Sequence, residues 1–458
     1  MRYFRVLLLG LVLVSGCGKN PEQIYSSLPQ DQFIQVYFNH RLDETNSYQE
    51  PYRQLERSGD NLESIITEEI ATAKRTIDLA VQELNLPLVA QALVKSHRSG
   101  VKVRVILDNN YSRSLSTLNP TEIAQLNQRD HLKYQQFQQL VDVNQDGQLS
   151  AKEIAQRDAI SILKQAGVPL IDDTADGSKG SGLMHHKFMV VDGQTIITGS
   201  ANFTLSGIHG DLDNLATRGN VNHLLRINNS QLADLFTEEF NYMWGNSGNP
   251  QFGLAKPWRS PQEITWENTQ VTIQFAPTSK KRDWQLSTNG LIAETLAQAS
   301  QSIDLALFVF SEQKLADVLQ QKSQQGLEIQ GVFDSGFAFR DYSEVLDLKG
   351  VTLPRDCQIE ANNNPWSNPL GTIGIPLLVS GDKLHHKFSV IDQQLVISGS
   401  HNWSYAANQN NDETLMIIRN QTVAQQFMQE FDRLYDSADF ELPSRIKSKV
   451  KAQLSQCK

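Results

Sequence analysis

The chain has 458 residues, room for two or three domains, and its 40% hydrophobic and 20% charged content exclude a disordered or collagen-like polymer. Its 41 basic and 51 acidic residues leave a net charge of −10, which disfavours a basic, sequence-blind nucleic-acid binder while leaving room for a local basic cleft. Only Val6 to Val14 approaches membrane hydrophobicity, and nine residues are too few to span a bilayer, so the chain is not a polytopic membrane protein.

Taken in chain order, the first element is an address. Arg2 and Arg5 precede the apolar run, and Val14-Ser15-Gly16-Cys17 follows it, giving the charged start, short greasy core and small residues of an export signal. Small residues directly before a cysteine resemble a bacterial lipobox. That resemblance implies removal of residues 1–16, diacylation of Cys17 and a lipid-anchored mature chain. An ordinary secretory signal is the plainer alternative. Losing Arg2 and Arg5 takes the charge from −10 to −12. Gly18, rather than Asp, would direct the anchor to the periplasmic face of the outer membrane in a host with two membranes. In an exported chain Cys357 and Cys457 are free to pair, with two buried thiols as the alternative; no C-x-x-C is present to suggest zinc.

The body of the chain is a duplication. Thr76 to Val81 (TIDLAV) recurs as Ser302 to Leu307 (SIDLAL), and Gly100 to Asp108 recurs as Gly326 to Asp334, both 226 residues apart. Downstream, His185-His186-Lys187-Phe188 recurs as His385-His386-Lys387-Phe388, but 200 apart, so half one is 26 residues longer between these landmarks. Splitting the interval at Gly167 and Gly350 resolves this into 43 extra residues in half one and 17 in half two. Short β-branched runs (Ile77 to Val81, Val101 to Leu107) alternate with amphipathic stretches (Leu88 to His97, Lys314 to Gln321). This pattern predicts an α/β protein of two similar layered halves. The expected division is a signal at 1–16, a tether at 17–30, half one at 31–245, a linker at 246–270, half two at 271–440 and a tail at 441–458. Asn362 to Gly374 reads as an irregular loop at the rim of a site or as a disordered insertion.

The excess in half one, about residues 113–165, contains a twelve-residue calcium loop of EF-hand type from Asp142 to Glu153. Oxygen donors fall at Asp142, Asn144 and Asp146, Gly147 makes the sharp turn, Gln148 offers its carbonyl, Ser150 stands at position nine and Glu153 closes the set. Helical patterns flank it at Gln136 to Val141 and Ile154 to Gln165. With no second loop, calcium there is expected to be a standing structural ligand.

Each half then carries one constellation: His185, Lys187, Asp192, Gly199, Ser200 and Asn202, matched by His385, Lys387, Asp392, Gly399, Ser400 and Asn402. On a strand, i and i+2 share a face, so His185 projects with Lys187 and His385 with Lys387, while His186 and His386 turn into packing. Two lysines and two asparagines, with Ser200 and Ser400, suit the non-bridging oxygens of a phosphodiester. Two imidazoles can divide nucleophilic attack from protonation of the leaving oxygen, and the lysines make a catalytic metal unnecessary.

This pair of motifs resembles the phospholipase D superfamily, with its two HKD motifs each followed by G-S-x-N, over about Phe33 to Phe440. The resemblance implies two α/β halves around one active site and a phosphohistidine intermediate, with His185 as nucleophile, His385 as general acid, and Asp192 and Asp392 in support. It also implies a carboxylate after each G-S-x-N to orient a catalytic histidine. Half two supplies Glu413. Aligning Leu224 with Leu415 places Asn222 at the matching position in half one, which leaves the partner of His185 open, with Asp211 and Asp213 as nearby substitutes. The expected function is hydrolysis of phospholipid headgroup esters at a membrane. A nuclease using the same residues is the alternative, and a non-catalytic binding module a third. Nothing in the sequence marks a protein partner.

Overall fold

Each copy of the repeat builds one mixed sheet, and the strand order is the same in both. The computed structural model describes residues 25–42, 47–246 and 248–457; the signal segment and Cys17 lie outside the described residues. The first sheet runs Ile34–Phe38, His223–Asn228, Thr195–Gly199, Lys187–Val191, Thr76–Val81, Lys102–Leu107, Leu170–Asp172. In the second, Thr269–Ala276, Glu413–Arg419, Leu395–Gly399, Lys387–Ile391, Ser302–Leu307, Glu328–Phe333 and Ile373–Pro376 take the corresponding places, with Gln262–Trp266 and Ala438–Asp439 added at the edges. The repeat holds at the level of register: Asp78 pairs with Val190, and Asp304 with Val390. The expected α/β duplication is what the chain forms.

Both faces of each sheet are covered, which is why the strands KFMVV and KFSVI, which follow directly on the histidine pairs, are buried along their whole length. One face of each sheet packs on its own half's helices, such as Leu62–Thr72 and Pro87–Arg98 in half one, and Thr288–Ala297 and Gln313–Gln324 in half two. The other faces meet in a single shared core. There Phe188 and Phe388 pack with Phe236 and Phe240 of helix Ser230–Trp244, and with Phe427 and Phe431 of helix Gln421–Asp436. Fully burying one such side chain is worth about 1.5–3 kcal/mol, so this shared layer is a large part of what holds the halves together.

Three connecting segments are more structured than composition alone implies. Residues 246–270 are not a loose linker: strand Gln262–Trp266 lies inside them, and Lys256 is buried in ion pairs with Glu239 and Asp412. The tail folds as helix Ser444–Gln456, and Cys357 and Cys457 form a disulfide that ties it to half two. The loop from Asn362 makes its contacts in the helix layer. Asn364 bonds Asp347, Asp317 and Gln320, and Trp366 enters the core of half two, so the segment is ordered.

The insert lies between strands Lys102–Leu107 and Leu170–Asp172. It forms helices Pro120–Ala124, Gln128–Val141, Ala151–Arg157 and Ala159–Gln165. The helix before the calcium loop starts earlier than the sequence pattern suggests, because Asn127 caps it by accepting from the Asp130 amide. The helix after the loop breaks at Asp158, whose carboxylate caps the next one by accepting from Ser161.

Candidate active site

The two halves exchange strands' ends where the histidines sit. Just before His185, Met184 bridges to Asp412 of half two, and just before His385, Leu384 bridges to Val221 of half one. The His185 amide donates to the Asp412 carbonyl (3.0 Å) and the His385 amide to the Val221 carbonyl (3.0 Å). These crossed bridges bring each histidine against the residue that follows the G-S-x-N of the opposite half.

The orienting partners are therefore swapped. His185 Nδ1 donates to Glu413 Oε2 at 2.7 Å, and His385 Nδ1 lies 2.9 Å from Asn222 Oδ1. The tautomer of His385 follows from the amide: Asn222 Nδ2 gives both its hydrogens to carbonyls, of Gly207 (2.8 Å) and Asn220 (3.2 Å), so Oδ1 faces the ring and Nδ1 must donate. In both rings Nε2 is left to face the reaction. The doubt that Asn222 raised over His185 is resolved by topology, since Asn222 serves His385. Neither Asp211 nor Asp213 is needed as a substitute.

Lys187 and Lys387 are buried, and each Nζ donates to the carbonyl of its own half's histidine, at 2.6 Å in both cases. Burial pushes the Lys187 ammonium down to about 7. Burial, then repulsion from Lys187, holds Lys387 well below the ordinary lysine range. Burial and the two lysines likewise hold His185 well below its usual 6.5, and burial with the same two lysines does so for His385. Lys187 thus bears on Lys387 and on both histidines, so positive charge is concentrated around one point. A phosphodiester entering this cluster would reverse the sign of those interactions and favour the charged lysines.

The sequence did not single out Gln82 and Phe308. They stand 226 residues apart just past the ends of the repeated strands, and there, as at Asn222 and Glu413, the two halves differ in kind. Gln82 Oε1 accepts from Asn202 Nδ2 (3.3 Å) and Lys187 Nζ (3.5 Å). Phe308 lies against the His385 ring, with centroids 4.7 Å apart, and beneath Lys387 Nζ at 4.8 Å.

The comparisons agree with this geometry. Residues 66–244 and 292–435, more than half of the chain, match the family described as "Cardiolipin synthase, PLD-like domain". The chain belongs to this PLD-like family. It is 27% identical over 145 residues to the mitochondrial cardiolipin hydrolase of Homo sapiens, covering 32% of this chain and 50% of that one. The Danio rerio protein of the same name is 26% identical over 160 residues, covering 35% and 61%. The chain thus spans about half the length of the relatives it matches. The fold resembles a phosphatidylserine synthase from Haemophilus influenzae, with a TM-score of 0.54 at 12% identity over 94% of this chain and 95% of that one.

Within the PLD-like frame several motif residues lie away from the reaction. Asp192 and Asp392, read from the sequence as part of the catalytic set, sit five positions past the lysines, about 16 Å along an extended strand. Asp192 and Gly193 both adopt positive φ in a tight hairpin turn, and the carboxylate accepts the amides of Lys74, Arg75 and Thr76. Asp392 does the same for Ser300, Gln301 and Ser302. Both are structural clasps.

Ser200 and Ser400 also face backwards. Their hydroxyls donate to Asn222 Oδ1 (2.8 Å) and Glu413 Oε2 (2.6 Å), so they hold the orienting groups and do not face a phosphate. The preceding glycines are required: a Cβ on Gly199 would sit 2.3 Å from the His223 carbonyl oxygen, and on Gly399 2.2 Å from that of Thr414. Asn202 and Asn402 do remain at the site, each with a buried Oδ1 that has no partner among the described residues. His186 and His386 point into the core as expected, onto Glu239 and Glu430, each at 2.9 Å.

The calcium-type loop folds around itself. Gly147 takes φ +80°, and the Asp142 carboxylate accepts the amides of Asp146 (3.2 Å) and Gly147 (2.9 Å). Glu153 accepts from the amides of Val143 (3.0 Å), Asn144 (3.3 Å) and Ser150 (3.0 Å). The donors are hard oxygens of the kind calcium takes. Among the described residues no three His, Cys, Asp or Glu side chains are gathered as around an ion, and Glu153 is engaged by backbone amides.

Proposed function

We propose that the protein is a phosphodiesterase of phospholipase D type that hydrolyses phospholipid headgroup esters through a phosphohistidine. The observation that carries this reading is the crossed pairing of His185 with Glu413 and of His385 with Asn222. A carboxylate stabilises an imidazolium and so favours His185 as the group that bonds phosphorus. A neutral amide leaves His385 the stronger acid. The negative charge of the bound phosphodiester favours His385 as the imidazolium, protonated at both Nδ1 and Nε2. His185 Nε2 attacks phosphorus, the bond to the headgroup oxygen breaks, and His385 gives that oxygen its Nε2 proton. Water then attacks the phosphohistidine, returns a proton to His385 and releases His185. Lys187, Lys387, Asn202 and Asn402 stabilise the non-bridging oxygens in both steps.

A lipid substrate is supported by the acidic charge of −10, by the lipobox-like segment and by relatives named for cardiolipin. In the same reading Cys17 carries the anchor, which places the enzyme at a bacterial membrane, and the Asp142–Glu153 loop takes a structural calcium. Among the described residues no helix is long and apolar enough to cross a membrane. Purified protein offered phosphatidylglycerol vesicles and plasmid DNA should release headgroup, and acid quench should trap label on His185. His185→Ala and His385→Ala should each cost about 10²–10⁴-fold. Cleavage of DNA alone, or a loss of less than ~10-fold in either variant, overturns the proposal. Mass spectrometry of the mature amino terminus should find a diacylglyceryl cysteine at residue 17; another terminus with soluble release excludes the anchor.

A further inference from the structure

The insert does more than carry a calcium-type loop. Together with half one it encloses a cavity of about 550 Å³, within the range of sites that hold drug-sized ligands. Its interior is lined by Leu118 and Leu126 from the start of the insert, Phe137 and Leu140 from helix Gln128–Val141, and Ile160 beyond the loop. These are residues that only the first copy of the repeat possesses.

The cavity abuts the catalytic site through shared backbone. Glu83 in its wall follows Gln82, which bonds Lys187 and Asn202. Leu183, also in the wall, lies two residues before His185, and its carbonyl accepts from Asp412 (2.8 Å) at the crossed bridge. Of the charges lining it, Glu83, Lys133, Arg113 and Asp158 are engaged, while Arg129, Asp130, Arg157 and Asp211 also face it. Lys133 bonds Glu83 (3.1 Å) and lies over the Tyr111 ring (4.2 Å), Arg113 is bidentate to Glu122, and Asp158 is engaged by Ser114, Ser116 and Ser161. Between these charges it offers the apolar surface of Leu118, Leu126, Phe137, Leu140 and Ile160. Through Leu183 it adjoins His185, the histidine that keeps the phosphoryl group.

We infer that this chamber binds an acyl chain of the retained diacylglycerol moiety, and so sets the preference for long-chain phospholipid. The inference rests on the phospholipid reading of the site. Leu118→Trp and Leu126→Trp, which fill the chamber, should each lower the ratio of kcat/KM for dioleoyl over dibutyryl phosphatidylglycerol by ~10-fold or more, the scale on which an apolar pocket discriminates methylenes. With the unsubstituted protein, a phosphatidylglycerol carrying a diazirine in its acyl chain should crosslink to peptides within residues 115–140. An unchanged ratio in both variants, or crosslinks confined to other segments, overturns the inference while leaving the phospholipid reading intact. Turnover of neither lipid alongside cleavage of plasmid DNA overturns both.

Discussion

Asn222 and Glu413 hold the same place in the two copies, two residues before leucines that pair with Gly199 and Gly399, yet each serves the histidine of the other copy. The asymmetry makes the division of roles testable by pH. Glu413→Gln removes a negative charge from His185, lowers its basicity and should move the ascending, low-pH limb of kcat/KM downward, with a loss on the order of 10²-fold in turnover. Asn222→Asp adds a negative charge beside His385, raises its pKa and should move the descending, high-pH limb upward. A profile of a soluble phosphodiester against pH reads both. If Asn222→Asp shifts the ascending limb instead, the two histidines trade roles. The catalytic residue types and their doubling were legible from spacing alone. Three things were not. The partner swap depends on bridges between Met184 and Asp412 and between Leu384 and Val221, which no comparison within one half reveals. Asp192 and Asp392 share the motif with the reactive groups only because the hairpin turn lies one strand-length away. Ser200 and Ser400 look like phosphate ligands until their hydroxyls are seen to face Asn222 and Glu413.

The insert is the element that breaks the symmetry of the fold. Its calcium-type loop is legible because ligand positions are fixed in number along twelve residues, whereas its helix boundaries depend on the Asn127 and Asp158 caps. The chamber beneath it could not be read, since no local pattern states which face of half one the helix Gln128–Val141 covers. If the loop takes calcium, the ion must draw Glu153 away from the amides of Val143 and Asn144. Calcium at ~100 times its dissociation constant should then add about 2.7 kcal/mol by mass action, read as a rise in Tm, and Glu153→Gln should remove most of it. Turnover of a small phosphodiester in EDTA should persist at low temperature, because Lys187 and Lys387 supply the positive charge at the phosphate. Loss of turnover in EDTA with the fold intact, or rescue of Lys187→Ala by calcium, would place the ion in the chemistry.

At the scale of the whole molecule, the halves are joined by more than the shared phenylalanine layer. Lys256, from the segment that composition marked as a linker, is buried between Glu239 of helix Ser230–Trp244 and Asp412 of half two (2.7 Å), and Arg259 pairs with the same Glu239. Burial alone would raise the Glu239 carboxyl, but Lys256 and Arg259 hold it well below the usual carboxylate range. A carboxyl depressed in this way contributes stability above its unfolded pKa and loses it as the pH falls toward its folded value. The cluster also lies behind the site: Glu239 receives His186, and the Asp412 carbonyl receives the amide of His185. Lys256→Met would leave two buried carboxylates short of their cation, and breaking a buried pair from one side typically costs about 3–5 kcal/mol. Urea unfolding at neutral pH should show that loss. Part of it should be recovered as the pH is lowered toward the range where Glu239 takes up a proton in the variant. A loss that is instead the same at every pH would mean that Lys256 acts through packing of its stem and not through its charge.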